Sequence, residues 1–343
     1  MTAMVYAPVV IPTLNRAEHL KRCLESLGRN TGADQTEVFV SVDYPPAEKY
    51  VEGYNRLKEM LQAMDFSCFK KIHIFYQEKN LGSIKNSAFL YEKVVESFDR
   101  YIFTEDDNEF APNFLEYINQ GLTMFQEDPK VVAICGARDT QWETDHKPVT
   151  FTKLYAAYGV GKWVEKGNQI DDRLSAVLLP EKIYGPGIMW RLLRRNRCLF
   201  NGYVLGIVCS DRGFFWRGEH DLRRCDSVYS MYMHLTDGVC IAPEVAKSRT
   251  WGNDGSGENM QKLDIDPEKE WPLDQNHSFS YPDPETLCFI EENYRLGNAY
   301  MSQGQWMNTA KAVLAYCAVL LCGRDRGRVI QMVKAVKKLL GKR

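Results

Sequence analysis

The sequence has no C-x-x-C pair, no clustered histidines, no apolar run long enough to span a bilayer and no excess of one charge sign. Each lack closes a class of function. Ten cysteines run from Cys23 to Cys322 without the spacing of a zinc ribbon or a dithiol redox centre. They read as reduced core thiols of a cytosolic protein. Six dispersed histidines offer no metal-ligand spacing and read as structural or surface groups. The longest apolar run, Ala312 to Cys322, is about half of what a spanning helix needs. Met1 to Pro8 lacks a basic segment followed by a long apolar run, so no signal peptide is expected there. A formal net charge of -2 supplies no global basic field and argues against a nucleic-acid partner. No internal repeat is present.

What is present is ordinary globular composition, 45% hydrophobic and 26% charged. Over the first 140 or so residues, strand and helix patterns alternate, which predicts an α/β fold with a parallel sheet covered by helices. The predicted strands are 5–12, 38–42, 71–76, 100–104 and 131–135. Between them fall helices over about 15–27, 47–64, 83–98 and 112–126, with Asn15 a candidate cap of the first. After Arg138 the periodicity weakens, and glycines and aromatics become frequent. Residues 252–284 read as loop, and the chain turns helical after Pro284. The last twenty residues hold eight Lys/Arg and one Asp. Val329, Met332, Val333, Val336, Leu339 and Leu340 share one helical face there. Two readings fit that pattern equally: a helix lying on an anionic membrane surface, and a helix packed on its own domain with a solvated basic side.

The strongest chemical feature is Glu105-Asp106-Asp107, directly after the apolar strand. Adjacent carboxylates at the mouth of a buried strand repel each other unless a cation is near. In open α/β sheets ligands bind at the carboxyl ends of strands. A divalent metal bridging a carboxylate and a diphosphate resolves the repulsion, while a solvated acidic turn capping the next helix is the plainer alternative. Asp43 ends the second strand similarly, as a turn residue or as an acceptor for a nucleobase or ribose. Parallel strands one, two and four bring Thr13, Asp43 and Asp106 to one sheet edge. Asn80 and Gly82 permit a tight turn into a helix whose N-terminus, with Lys85, suits a phosphate; an ordinary capped loop fits as well.

Ala7 to Arg16, APVVIPTLNR, resembles the opening strand and loop of GT-A glycosyltransferases, family 2-like, and Val38 to Asp43 their second strand. Tyr101 to Phe114 is similar to the Glu-Asp-Asp segment of the N-acetylglucosaminyltransferase I family. The likeness implies a GT-A, Rossmann-like mixed sheet flanked by helices with a helical C-terminal tail. It implies a nucleotide-sugar-binding half at 1–140, an acceptor-binding half at 141–285 and a basic helical extension at 286–343. Carried over, Asp107 is the ligand of Mn2+ or Mg2+. Pro12, Thr13, Asn15, Arg16, Asp43, Asn80, Gly82, Lys85, Glu105 and Asp106 are donor contacts. Tyr158 to Trp163 resembles a Gly-x-Gly-Trp segment bordering the sugars, with a core-covering Trp163 as the alternative. Trp251, Asn253, Asp254 and Gly255 resemble a mobile lid over the donor, or a plain turn. Asp226 is the best counterpart of the family's general base, with Asp211, Glu219 and Asp221 as rivals.

The resulting expectation is an inverting, metal-dependent glycosyltransferase using a nucleotide-sugar donor, UDP by resemblance, in cell-surface glycan or polysaccharide synthesis. Its acceptor is a glycan or lipid-linked hydroxyl. Its place is the cytoplasm, with peripheral contact on the inner membrane face through the basic tail. A sugar nucleotidyltransferase ranks lower, because the loop after the first strand lacks glycine. A catalytically silent nucleotide-sugar-binding protein remains open.

Overall fold

The computed structural model describes residues 6–138, 147–153, 155–170, 186–204, 226–257, 262–287 and 306–322, and within the tail residues 327–328, 330–332 and 334–335. The chain divides into two compact units, residues 1–169 with 238–290 and residues 170–237 with 291–343. The strands at 239–243 and 248–250 join the first unit although the preceding helices belong to the second.

In the first unit β1 (Val9–Thr13), β2 (Glu37–Val42), β3 (Lys71–Tyr76) and β4 (Arg100–Phe103) run parallel in the order β3-β2-β1-β4. Helices α1 (Ala17–Gly28), α2 (Val51–Ala63) and α3 (Gly82–Val95) link them. Side chains alternate across the sheet. Val9 and Ile11 pack with Leu20, Leu24, Leu57 and Ile118 in one core, and Val10 and Phe39 pack with Leu90 and Val94 of α3 in another. The sheet is therefore covered on both faces. In α1, Leu20, Cys23, Leu24 and Leu27 are buried at the spacing of one helical face. The helix begins one residue later than an Asn15 cap requires. Arg16 holds the cap position and no side chain caps the end.

The chain continues through β5 (Asn108–Phe110), α4 (Phe114–Met124), β6 (Val131–Cys135), β7 (Val149–Thr152), β8 (Val160–Trp163), β9 (Val239–Pro243) and β10 (Ser248–Thr250). The eight-stranded sheet has the order β3-β2-β1-β4-β8-β6-β9-β7. It is mixed, because β8 lies antiparallel between β4 and β6 and β7 is antiparallel to β9. The parallel continuation expected from β4 to β6 is thus interrupted. β5 and β10 form a separate antiparallel ribbon, with Arg249 directly opposite Glu109.

The second unit is helical among its described residues: α5 (Pro186–Arg195), α6 (Arg197–Tyr203), α7 (Asp226–Thr236) and α8 (Trp306–Cys322). Met189, Leu192, Phe200 and Tyr316 are fully buried in it. Trp190 stacks on Phe200 at 6.1 Å between centroids. No described helix is long and apolar enough to cross a membrane. The seven cysteines among the described residues are free thiols.

Candidate functional site

Parallel pairing aligns the carboxyl ends of β1, β2 and β4, and three loops leave the sheet at that edge. Asp43 and Asp106 both lie there, each almost wholly buried. Burial makes the partners of these carboxylates decisive, because an ion removed from water must be paired or hydrogen-bonded.

Asp43 is saturated. Its two oxygens accept from the backbone N–H groups of Tyr44 (2.9 Å), Leu81 (2.8 Å) and Gly82 (2.8 Å) and from the Asn80 amide (3.1 Å). Asn80 also donates to the Tyr44 carbonyl at 2.7 Å. The carboxylate thus sits at the start of α3 and receives amide groups that the helix leaves unpaired. Gly82 adopts φ +76, a left-handed conformation that favours glycine, to turn its N–H toward it. All four acceptor positions of Asp43 are filled by the chain itself. Lys85, one turn into α3, is exposed.

The carboxylates after β4 are arranged differently. Glu105 is exposed, while Asp106 and Asp107 are buried. Arg16, from the β1–α1 loop, spans both. Its guanidinium forms an ion pair with Asp106 through Nη2 and donates to Asp107 Oδ2 through Nη1 at 2.8 Å. Thr13 Oγ1 donates to Asp106 Oδ2 at 2.6 Å. The repulsion between adjacent carboxylates is therefore relieved by a cation of the chain. Burial opposes the charge on Arg16, but Asp106 and Asp107 outweigh it and raise its pKa above the ordinary value. For Asp107 burial wins: its carboxyl is pushed up although Arg16 pulls it down, and Asp106 adds to the rise. The reason is visible in the geometry, since Asp107 Oδ1 is buried without any hydrogen-bond partner.

The ribbon of β5 and β10 brings residues 251–257 onto this corner. The Trp251 N–H donates to the Asp107 carbonyl at 2.8 Å. The Trp251 indole N–H donates to Glu109 at 2.7 Å, and Arg249 Nε donates to the same oxygen at 2.8 Å. Arg22 of α1 lies over the Trp251 ring, 4.1 Å from its centroid. A Cβ built on Gly252 would overlap the Asp107 carboxylate, so any side chain here must displace that carboxylate. Asn253 is buried with neither its amide oxygen nor its amide nitrogen hydrogen-bonded. Asp254 reaches His19 of α1 at 3.2 Å.

Thr13, Arg16, Asp106, Asp107, Asn253 and Asp254 are thus brought together. Glu105 flanks them, with its carbonyl accepting from the Cys23 thiol at 3.8 Å. Pro12 lies within β1, and Asn15 packs its backbone against Gly53 of α2. Gly255 takes φ +84 beside Lys262. Trp163 belongs elsewhere. It pairs with Arg100, at the opposite end of β4 from the carboxylates. Its indole N–H donates to the Leu122 carbonyl at 2.9 Å, and the Lys166 ammonium lies over its ring. Antiparallel entry of β8 carries it away from that edge, the placement of the core-covering alternative. Asp226 opens α7 in the second unit. Asp211, Glu219 and Asp221 lie outside the described residues. Glu109, His19 and Arg22 were not anticipated. The opposed charges of Asn108-Glu109-Phe110 and Ser248-Arg249-Thr250 were the only sign of the ribbon.

The donor set fits a hard divalent cation in chemistry, since Asp107 offers a buried carboxylate oxygen with no other partner. No group of three or more His, Cys, Asp or Glu that could hold a metal exists among the described residues. Such an ion would take its remaining ligands from water and phosphate, as Mg2+ sites usually do.

The mixed α/β sheet flanked by helices, with carboxylates at the ends of its parallel strands, is of the GT-A class. The chain matches the family "Glycosyl transferase family 2" over residues 9–182, just over half its length, and belongs to that family. No curated protein matches it significantly. Among solved structures it is similar to TarS of S. aureus, at 14% identity and TM-score 0.31 over 49% of this chain and 30% of that one. A 1–349 form of TarS is similar at 12% identity and TM-score 0.31 over 50% of this chain and 49% of that one. This chain therefore spans 30% of the one and 49% of the other. The mannosyltransferase PcManGT of Pyrobaculum calidifontis, in complex with GDP-Man and Mn2+, is similar at 12% identity and TM-score 0.35, over 100% of this chain and 89% of that one. Likeness at these scores carries no weight for function.

Proposed function

We propose that this chain is a glycosyltransferase that moves a sugar from a nucleoside-diphosphate sugar to an acceptor hydroxyl, with Mn2+ or Mg2+ bound at Asp107. The observation that carries the reading is the half-satisfied Asp107, buried at the carboxyl ends of the parallel strands in a family 2 chain. A divalent ion there supplies charge neutralisation for the departing diphosphate. The chain's own residues supply the rest. Thr13 and Arg16 fix the orientation of Asp106. Asn253 offers an amide for a hydroxyl or phosphate oxygen, and Asn80, Gly82 and Lys85 border the nucleotide from the α3 side. Asp43 holds the Asn80–Gly82 loop in shape. Asp226, or one of Asp211, Glu219 and Asp221, takes the acceptor proton, on the face opposite the leaving group in an inverting transfer.

UDP is the nucleotide to test first, by resemblance. A glycan or lipid-linked acceptor, with the enzyme held at the inner membrane face, is suggested by the tail. Arg328 and Lys334 are exposed there, and Leu321 of α8 is 76% exposed. Thermal shift with UDP- and GDP-sugars, with and without Mn2+, tests donor binding, and radiolabelled transfer tests turnover. Stabilisation that needs both nucleotide and metal is expected. Stabilisation by neither nucleotide sugar, with or without Mn2+, would sink the reading.

A further inference from the structure

The corner after β4 already contains a cation. Arg16 occupies both oxygens of Asp106 and one oxygen of Asp107, and Thr13 completes Asp106. Every strong acceptor in the pair is then in use except Asp107 Oδ1. A divalent ion arriving alone meets a guanidinium on the same carboxylate, and like charges at such range in a buried site repel strongly. Residues 251–254 close the corner further, with Trp251 bonded to the Asp107 carbonyl and Gly252 against its carboxylate. A nucleoside diphosphate changes the balance. It offers Arg16 a second, better-matched partner, because a planar guanidinium binds phosphate oxygens in a bidentate fork.

We infer that Arg16 is a place-holder for the divalent cation: it neutralises Asp106 and Asp107 in the empty site and transfers to the diphosphate when donor binds, so that metal binding depends on the nucleotide. This deepens the metal-dependent reading above and rests on it. Linkage then requires the reciprocal effect, with metal raising nucleotide affinity by the same factor. The amide of Asn253, next to Gly252, is likewise buried with both polar atoms unpaired, a second group that a ligand in this corner can satisfy.

The test is Mn2+ binding, followed by the loss of the free-ion EPR signal, for wild type, Arg16→Gln and Arg16→Lys, each alone and with saturating UDP or GDP. Wild type alone is expected to bind Mn2+ weakly and to gain at least about tenfold with nucleotide, within the usual range of coupling between sites. Arg16→Gln removes the competing charge, so Mn2+ alone should bind about tenfold tighter and the gain from nucleotide should shrink. Arg16→Lys keeps a charge but cannot span two carboxylates, and an intermediate value is expected. If Arg16→Gln fails to fold, the lysine variant decides the matter: a Mn2+ affinity equal to or below wild type, with coupling intact, overturns the proposal. Unchanged affinity in a folded Arg16→Gln does the same. Absence of Mn2+ binding in all three proteins, with either nucleotide, overturns the metal reading itself and this inference with it.

Discussion

Asp43 and Asp106–Asp107 stand at the carboxyl ends of parallel strands in one sheet, yet their surroundings differ. Asp43 accepts four hydrogen bonds from its own chain, three of them from backbone N–H groups. Asp107 accepts one side-chain bond, from Arg16, and keeps its other oxygen buried and unpaired. A carboxylate that the fold has fully satisfied shapes the backbone around it. One that the fold has buried and left incomplete costs stability until something else completes it. Burial and position do not separate these two cases; the count of partners does.

Three substitutions press on that difference. The largest effect is expected for Asp107→Ala, a fall of about 10³-fold or more in transfer, the size of a lost transition-state charge contact. Its melting temperature should stay near that of wild type, because the deleted group is poorly satisfied. A large loss of stability would show that Asp107, like Asp43, is structural. Asp43→Ala should do the reverse. Removing the acceptor of buried amide groups costs about 3 kcal/mol, read from the urea midpoint, and transfer falls only as the loop at Asn80 loosens. A stable, inactive Asp43→Ala would move Asp43 into the ligand-binding set. Gly252→Ala should be intermediate, because the new methyl displaces the Asp107 carboxylate. A loss of about 10- to 100-fold in transfer is expected with little change in melting, since displacements of about 1 Å at a reacting centre cost that much.

The elements around these aspartates were readable because their signals are local. The observed limits of Lys71–Tyr76, a partly exposed edge strand, and of Val131–Cys135, buried throughout, coincide with the expected ones. The face of α1 follows from the spacing of Leu20, Cys23, Leu24 and Leu27. Pairing across the sheet was not readable in the same way. Val160–Trp163 enters between β4 and β6, and its direction decides that Trp163 meets Arg100 rather than the carboxylates. Nothing in Gly159 to Trp163 encodes that direction. The partner of Asp107 was hidden for the same reason. Arg16 lies 91 positions away, and only the pairing of β1 with β4 brings it there. The turn at 251–254 depends on Glu109 meeting Arg249, a contact between residues 140 apart.

The smallest expected effect concerns that turn. His19 meets Asp254 at 3.2 Å, but the Asp254 side chain is 46% exposed, and exposed ion pairs contribute only about 0–1 kcal/mol. His19→Gln should therefore change global melting little while lowering amide protection across Gly252–Gly257. Burial raises the Asp254 carboxyl, but the Ser256 hydroxyl and N–H, then His19 and Arg16, overcome it and leave its pKa below the ordinary value. A carboxylate with a lowered folded pKa contributes stability that is present above its unfolded pKa, ordinarily 3.8 for Asp, and lost as pH falls through the folded one. Protection of this turn should accordingly hold at neutral pH and decline in acid, with a shallower decline in His19→Gln. A fall in global stability comparable to that of Asp43→Ala would mean that the turn is fixed by the chain, and the contrast between a satisfied corner and one awaiting its ligand would disappear.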